Sequence, residues 1–143
     1  MYVCGFFVIS GVYMLLEVSS TPSQMILPGE AARLISPRIP EQFHGHKKCL
    51  VFSMNVHGQH IGFVRVLDEF SQKVYEYQGS KARNEFLKDW VAVAVELSPF
   101  QKLFVLEATK GGIYESHAQG DICIDDLSVT QDDCRKYKSF NTI

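Results

Sequence analysis

The 143-residue sequence lacks the features that mark several large classes of protein. It has no long apolar run of the kind that spans a bilayer, and its net charge is only −2. Its one basic cluster, residues 135–138, lies close to the end of the chain. A nucleic-acid groove or an anionic membrane surface attracts clustered Lys and Arg. We therefore expect no nucleic-acid partner, and contact with a membrane only through a parent receptor chain.

The sequence also lacks the motifs of common catalytic and zinc sites. Neither HExxH nor GxSxG occurs, and no set of cysteines and histidines has zinc-finger spacing. The histidines of residues 44–46, His57 and His60 are most simply solvated loop residues. Glu96 and Glu107 lie on predicted strands, and we expect both side chains on solvent-exposed faces. We expect no catalytic residues and hence no enzyme.

An apolar period of 3.6 residues does not persist beyond two turns anywhere, which argues against a helical domain. Alternating apolar residues predict strands instead, and turn residues separate them as in an antiparallel sandwich. The predicted strands cover residues 50–56, 60–69, 71–78, 90–97 and 102–109, and the segment GDICIDDLSVTQDDC is the last strand. We predict an all-β domain, an antiparallel β-sandwich, over residues 1–134. The tail at 135–143 has little to bury and is expected to be loose.

Composition specifies two connections between these strands. His57-Gly58-Gln59 separates two alternating runs, which predicts a hairpin with a glycine-containing loop. Residues 80–90, SKARNEFLKDW, are expected to form a polar connection with at most one helical turn.

The first twenty residues allow two interpretations. They are apolar, and Val18-Ser19-Ser20 would suit cleavage of a secretory signal peptide, but the basic region that such peptides carry is missing. The alternative is a strand from Val12 to Val18 in the mature fold.

The last predicted strand changes its apolar face at two adjacent aspartates. Ile122 and Ile124 share one face, but continued alternation would send Leu127 and Val129 to the other. One extra residue in a strand shifts the alternation by one. We predict a β-bulge in which residues 125–126 oppose a single partner, so that all four apolar side chains face inward. The two carboxylates would then accept local N–H bonds or help to hold a cation.

Several ordered pieces of the sequence resemble the MAM domain, an extracellular module of meprins, neuropilin-type receptors and the receptor tyrosine phosphatase mu. SGVYMLLEVSS is similar to the family's Gly-x-Tyr-apolar-x-x-Glu segment, and EAARLISPRI to its Ala-x-Leu-x-Ser-Pro stretch. Further matches are CLVFSMNVHGQHIGFVRV, DWVAVAVEL, FVLEATKGG and GDICIDDLSVTQDDC. Together they span about residues 8–134. The resemblance implies a sandwich of jelly-roll type, and it favours the strand interpretation for residues 12–18.

The resemblance also implies how the four cysteines are used, which spacing alone leaves open. Cys49 and Cys134 match the family's third and fourth cysteines, which pair with each other, and they are 85 residues apart. Closing a loop of that length should disfavour the unfolded chain by about 4–5 kcal/mol. Cys123 stands where the family has a small apolar residue, and we expect a buried thiol. Cys4 has no counterpart; it is free, pairs with Cys123 or bridges another chain.

The chain departs from the family at its start. The usual first strand, the first cysteine pair and an Asp-Trp stretch do not precede Cys4, and a domain without them should have an unpaired sheet edge. Where family members hold a cation, part of the ligand set comes from that region. The resemblance therefore implies an incomplete site for calcium or another cation at Asp125, Asp126 and Glu17. We expect no cofactor, and little response to calcium.

The resemblance implies a non-enzymatic extracellular or cell-surface module, whose partner is a protein and whose contacts include homophilic ones. Two alternatives stay open. The chain could be an accessory domain of an extracellular metalloprotease, or a carbohydrate-binding jelly roll in which exposed Tyr75 and Tyr77 stack on sugars. Otherwise these tyrosines, Phe63, Trp90 and Phe104 are most simply core residues.

Overall fold

The computed structural model describes residues 2–4, 7–10, 13–17, 31–57, 61–78, 90–110 and 121–140. Within these ranges the chain forms ten strands and two 3₁₀ helices, which confirms the all-β prediction. The strands are β1 Tyr2–Cys4, β2 Phe7–Ser10, β3 Tyr13–Glu17, β4 Ala31–Ile35, β5 Lys48–His57, β6 Ile61–Leu67, β7 Lys73–Gln78, β8 Val91–Leu97, β9 Val105–Lys110 and β10 Asp121–Thr130; the 3₁₀ helices are Glu41–Phe43 and Cys134–Phe140.

The strands form two antiparallel sheets of five, stacked as a jelly-roll sandwich. The first sheet has the order β1-β4-β9-β6-β7 and the second the order β2-β3-β10-β5-β8. Successive strands from β3 to β6 and from β7 to β10 alternate between the sheets. Each crossing lets the inward side chains of both layers contribute to one core.

The core lies between the sheets because alternate residues of each strand point inward. On β8, for example, Val93, Val95 and Leu97 are buried, whereas Glu96 is exposed. The largest fully buried apolar side chains are Phe52, Leu34, Leu50, Met54, Leu97, Leu106, Ile122 and Ile124.

The hairpin predicted around residues 57–60 is wrong. β5 pairs with β8 and β10 in the second sheet, whereas β6 pairs with β7 and β9 in the first. The chain therefore crosses between layers after His57. Two alternating runs with a glycine between them specify two strands, but the choice of sheet depends on which neighbours complete the core.

Both ends of the predicted domain have strand or helix structure. Residues 13–17 form a strand, as the strand interpretation predicted, and pair with β10; Val12 and Val18 lie outside the described residues. From Cys134 to Phe140 the chain forms a 3₁₀ helix that contacts β8. The polar connection predicted at 80–90 falls almost wholly outside the described residues.

The structure describes no helix that is long and apolar enough to cross a membrane.

Candidate functional site

The predicted bulge in β10 is present, but it lies one residue further along the strand. Asp125 pairs with Ser53 of β5, and the next pair is Ser128 with Val51. Two residues, Asp126 and Leu127, therefore oppose Phe52 alone. The prediction had placed Asp125 and Asp126 in that role, because the sequence shows that the alternation shifts but not which residue is extra.

The bulge shifts the alternation of β10, so that apolar side chains before and after it face the core, as predicted. Ile122 and Ile124 are fully buried, and Leu127 and Val129 pack partly against the same core. Asp126 adopts a left-handed backbone conformation, with φ 54°, which Asp tolerates better than most side chains. Its N–H donates to Oδ1 of Asp125 at 2.8 Å. The first aspartate therefore stabilises the bent backbone locally.

The backbone register does not bring the three suggested cation ligands together. Glu17 lies opposite Asp121, four residues before Asp125 on β10, which is about 13 Å along a strand. The side chain of Glu17 lies outside the described residues. Within the described ranges no three His, Cys, Asp or Glu side chains are grouped as metal ligands, and this applies to His44 and His46 as well.

A disulfide joins Cys49, at the start of β5, to Cys134, with 5.1 Å between the Cα atoms. It attaches the C-terminal 3₁₀ helix to the second sheet. Cys123 is a free, buried thiol whose pKa is raised, first by burial and then by the nearby Asp121. The side chain of Cys4 lies outside the described residues.

Charged residues surround the disulfide, and they are paired. Asp133 accepts from Nη2 of Arg135 at 2.6 Å, and the hydrogen bonds from Arg135 lower the pKa of Asp133 to about 2. Asp132 accepts from Tyr137 at 3.0 Å and from Lys136 at 3.3 Å, and these bonds lower its pKa as well. These bonds all lie within residues 132–137, and they join the start of the 3₁₀ helix to the residues just before it.

The outer face of the first sheet carries a row of alternating charges. Arg33, Glu107, Arg65 and Glu76 stand opposite one another on β4, β9, β6 and β7. The Arg33–Glu107 and Arg65–Glu76 contacts measure 2.6 and 2.7 Å, and Arg65–Glu107 measures 3.6 Å. Glu107 was expected on an exposed face, but only 7% of its side chain is accessible. Its two arginine neighbours, which are distant in sequence, cover it.

Glu76 and Arg65 are held from several directions. Hydrogen bonds from Gln78 and then Arg65 lower the pKa of Glu76 to about 2. The guanidinium of Arg65 also lies 4.1 Å from the centre of the Phe63 ring, a cation–π contact. The row is a satisfied ion-pair network that stabilises the sheet.

Three of the five aromatic residues expected in the core are packed there, namely Tyr75, Tyr77 and Phe104. Tyr77 is buried and Tyr75 packs edge-on against Phe52, with 6.5 Å between ring centres, so neither is free to stack on a sugar. Burial, followed by the influence of Tyr77, raises the pKa of Tyr75 to about 12. Trp90, expected in the core, is 45% exposed just before β8.

Two exposed phenylalanines lie on neighbouring turns at one end of the sandwich. Phe70 is 78% exposed on the turn between β6 and β7, and Phe100 is 75% exposed on the turn after β8. Oε1 of Glu69 accepts from the N–H of Lys102 at 3.2 Å and links the two turns. We call Phe70, Phe100 and their turns, residues 68–72 and 98–101, the aromatic tip.

Polar contacts fix the first turn of the aromatic tip. Oδ1 of Asp68 accepts from the N–H groups of Phe70 and Gln72, at 2.9 and 2.8 Å. The N–H of Ser71 donates to the carbonyl of Asp68, and Ser71 has a φ of 62°. The Asp68 carboxylate thus closes the turn and holds the Phe70 backbone outward.

A buried lysine holds the second turn. Lys48 is 1% exposed, and its ammonium donates to the carbonyl of Pro99 at 2.7 Å and that of Phe43 at 3.4 Å. Burial lowers the pKa of Lys48, and the charge of Glu69 opposes that effect. Gln101 is buried as well, and its side chain donates to the carbonyl of Leu103 at 3.1 Å. The aromatic tip is therefore rigidly supported from inside.

No pattern in the sequence predicted the aromatic tip. Phe70 lies two residues after the turn residue Asp68, Phe100 lies directly after Pro99, and neither lies within an alternating run. That position could have indicated exposure for each. Their proximity could not have been found, because it depends on the pairing of β6 with β9.

Comparisons with known proteins agree with this geometry. A family model described as "MAM domain, meprin/A5/mu" matches residues 8–135. The chain is 30% identical over 135 residues to MAM domain-containing glycosylphosphatidylinositol anchor protein 1 of Gallus gallus, which covers 87% of this chain and 12% of that protein. It is 30% identical over 141 residues to the corresponding protein 2 of Homo sapiens, covering 88% and 13%. The chain thus spans about one eighth of these relatives.

Among solved structures, the chain is similar to the K1 cleaved adhesin domain of Lys-gingipain from Porphyromonas gingivalis. The TM-score is 0.59, the identity is 13%, and the match covers 85% of this chain and 75% of that one. At that identity the likeness shows a shared sandwich fold and nothing about partners.

Proposed function

The chain belongs to the MAM domain family, and from that premise we propose that it is a non-enzymatic protein-interaction module on an extracellular, cell-surface protein. The names of its relatives, which describe glycosylphosphatidylinositol-anchored proteins, support the location. The Cys49–Cys134 disulfide supports it too, since such bonds persist in oxidising compartments.

The observation that carries the proposal is the aromatic tip. Phe70 and Phe100 are more than 70% exposed on two turns joined by a hydrogen bond, and a partner that covers them would remove their apolar surface from water. Rigid aromatic anchors make efficient docking contacts, because little conformational freedom is lost when they bind. A protein partner would place them in a pocket of its own, and a second copy of the chain is the first partner to test.

The geometry favours this role over the alternatives from the sequence. A sugar platform needs exposed rings, but Tyr75 and Tyr77 are packed into the sandwich. An active site needs convergent acid–base groups, whereas Glu76, Asp132 and Asp133 are already paired with arginine, lysine or tyrosine. The aromatic tip is the more direct candidate for contact.

Bead aggregation and binding to cell surfaces test the proposal. Beads coated with the wild-type protein should aggregate or bind cells, and the double variant Phe70→Ser with Phe100→Ser should lose at least about tenfold in binding, as expected for anchors. Val74→Ser is the matched control, because Val74 is 38% exposed but lies on β7 outside the tip. Absence of all binding, or equal losses in the control, would contradict the proposal.

A further inference from the structure

Three side chains at the end of the sandwich that carries the aromatic tip bury polar atoms. Lys48 is only 1% exposed, although lysine is almost never fully buried in a folded protein. Among the described residues, two buried side-chain atoms have no hydrogen-bond partner, namely Nε2 of His44 and Oε2 of Glu69. Such atoms are uncommon, because each of them gives up its bonds to water on folding. Their concentration at one end of the molecule calls for a reason other than stability.

The ammonium of Lys48 lies where three segments of the chain meet. It donates to the carbonyl of Pro99, on the turn 98–101, at 2.7 Å, and to that of Phe43, at the end of the first 3₁₀ helix, at 3.4 Å. The charge of Glu69, on the turn 68–72, acts on the same ammonium. Lys48 therefore connects both turns of the aromatic tip with the 3₁₀ helix beside them.

The two carbonyls that Lys48 contacts do not depend on it for a donor. The N–H of Gly45 donates to the carbonyl of Pro99 at 3.0 Å, and the N–H of His46 donates to that of Phe43 at 3.4 Å. Removal of the ammonium would thus leave neither carbonyl without a hydrogen bond. The bonds from Lys48 fix the relative position of the segments, but they are not needed to satisfy the main chain.

The buried charge of Lys48 opposes folding. Burial lowers the pKa of Lys48 below its usual 10.5, and the charge of Glu69 offsets only part of that effect. In the interval between the lowered pKa and 10.5, the unfolded chain holds more protons at this position, so stability rises with pH there. Below the interval both states are protonated, and the destabilising effect of the charge is fully present. Stability alone would favour an apolar side chain at this position.

We propose that Lys48 is a positioning residue of the aromatic tip, and that its buried ammonium fixes the turn 98–101 against the turn 68–72 while lowering the stability of the fold. Phe70 and Phe100 are then presented together before a partner arrives. Anchors that are already in place lose less conformational freedom on docking. Groups that lower stability are commonly kept where a functional site needs them. The inference rests on the proposed function and adds how its binding surface is held ready.

The neighbouring lysine provides a matched control. Lys47 directly precedes Lys48 in the sequence, but 72% of its side chain is accessible, and it pairs with the exposed Glu96 at 3.4 Å. An exposed pair of this kind contributes little to stability. Methionine has an unbranched side chain of similar length without a charge, and it adapts to irregular space in a core. The same substitution at both positions thus separates the buried charge from the loss of a lysine.

Hydrogen exchange and thermal unfolding of Lys48→Met test the proposal. The N–H groups of residues 101–102 bond within and between the two turns. We expect them to exchange at least threefold faster than in the wild type, whereas the amides of residues 122–124 exchange at the wild-type rate. The Tm should equal or exceed that of the wild type, and Lys47→Met should change neither quantity. A residue that merely stabilised the fold would instead lower the Tm and accelerate exchange throughout.

A second variant guards against the effect of an uncompensated carboxylate. Lys48→Met combined with Glu69→Gln removes both charges and keeps an oxygen that can accept from the N–H of Lys102. This double variant should fold at least as stably as the wild type and should still show the faster exchange at residues 101–102. Exchange accelerated by less than threefold in both variants, or a Tm of the double variant below that of the wild type, would overturn the proposal.

Bead and cell binding separate this inference from the proposed function. Lys48→Met should bind at least fivefold more weakly than Lys47→Met. If Phe70→Ser with Phe100→Ser abolishes binding while Lys48→Met binds like the wild type, the proposed function stands and the positioning role fails alone. If the phenylalanine variant binds normally, the proposed function fails, and the exchange rates at residues 101–102 still decide whether Lys48 fixes the two turns.

Discussion

The two halves of β10 differ in how they are held. Residues 121–124 pair on both sides, and Ile122 and Ile124 are fully buried. Among the described strands, residues 127–130 pair with β5 and with no second partner, and Leu127 and Val129 are only partly buried. One strand is therefore held on both sides in its first half and, within the described strands, on one side in its second.

The difference shows how a sandwich can keep its core closed where the pairing of a strand changes. The bulge keeps the apolar side chains of the second half facing inward after the second partner strand ends. The disulfide then fixes the chain four residues beyond β10.

Of the changes predicted here, removal of the disulfide should lower the free energy of unfolding the most. Replacing Cys49 and Cys134 by serine should lower the free energy of unfolding by about 4 kcal/mol, since the bond closes an 85-residue loop. Urea denaturation measures the loss. Cys123→Ala, which removes a buried but unbridged thiol, is the control and should cost about 1 kcal/mol. Equal losses would mean that the bridge does not stabilise the fold.

The next largest effect should come from truncating one apolar side chain in each half of β10, and the two halves should differ in the stability they lose. Ile124→Ala removes a fully buried side chain and should cost about 3–4 kcal/mol, whereas Val129→Ala should cost about 1 kcal/mol. Thermal or urea unfolding provides both values. A similar cost at the two positions would show that the second half is packed as tightly as the first.

The bulge itself can be tested through its left-handed residue. Asp126→Val should destabilise by about 1–2 kcal/mol, because a β-branched side chain is strained at a φ of 54°. Asp126→Gly should be neutral or slightly stabilising, since glycine adopts this conformation freely. If both variants lose the same stability, the carboxylate matters and the backbone conformation does not.

Acid should lower the stability of the protein by a smaller amount, through Glu76 in the first sheet and Asp133 beside the disulfide. The folded-state pKa of Glu76 and of Asp133 is about 2, below their usual 4.5 and 3.8. Their contribution is complete above the usual values and is lost as the pH falls from about 4.5 toward 2. Glu76→Gln should flatten the dependence of Tm on pH in that window. An unchanged slope would contradict the role of the Arg65–Glu76 pair.

Calcium should have the smallest effect of all. Asp125 already accepts the N–H of Asp126, and Glu17 lies opposite Asp121 in the register. We therefore expect millimolar calcium to shift Tm by less than about 1 °C, because weak binding stabilises little. A rise of several degrees that disappears in Asp125→Asn would establish a cation site after all.

The sequence predicted features that depend on neighbouring residues within one strand. The alternation around residues 122–129 predicted a bulge and the inward side chains correctly, and missed its position by one residue. The alternation of β8 likewise predicted its buried face. Both follow from the two-residue period of a strand.

Features that depend on distant pairing could not be predicted. The crossing after β5 was taken for a hairpin, and Glu107 was assigned to an exposed face. Arg33 and Arg65, which bury Glu107, are 74 and 42 positions away in the sequence. The aromatic tip has the same origin, because the pairing of β6 with β9 brings its two turns together.

Hydrogen exchange of the β10 amides in the free protein tests the unequal pairing of this strand most directly. All amides of residues 122–124 should exchange slowly, whereas residues 127–130 should alternate between slow amides, bonded to β5, and fast ones on the open edge. Uniformly slow exchange through residue 130 would show that a strand already covers the edge, and would contradict the account.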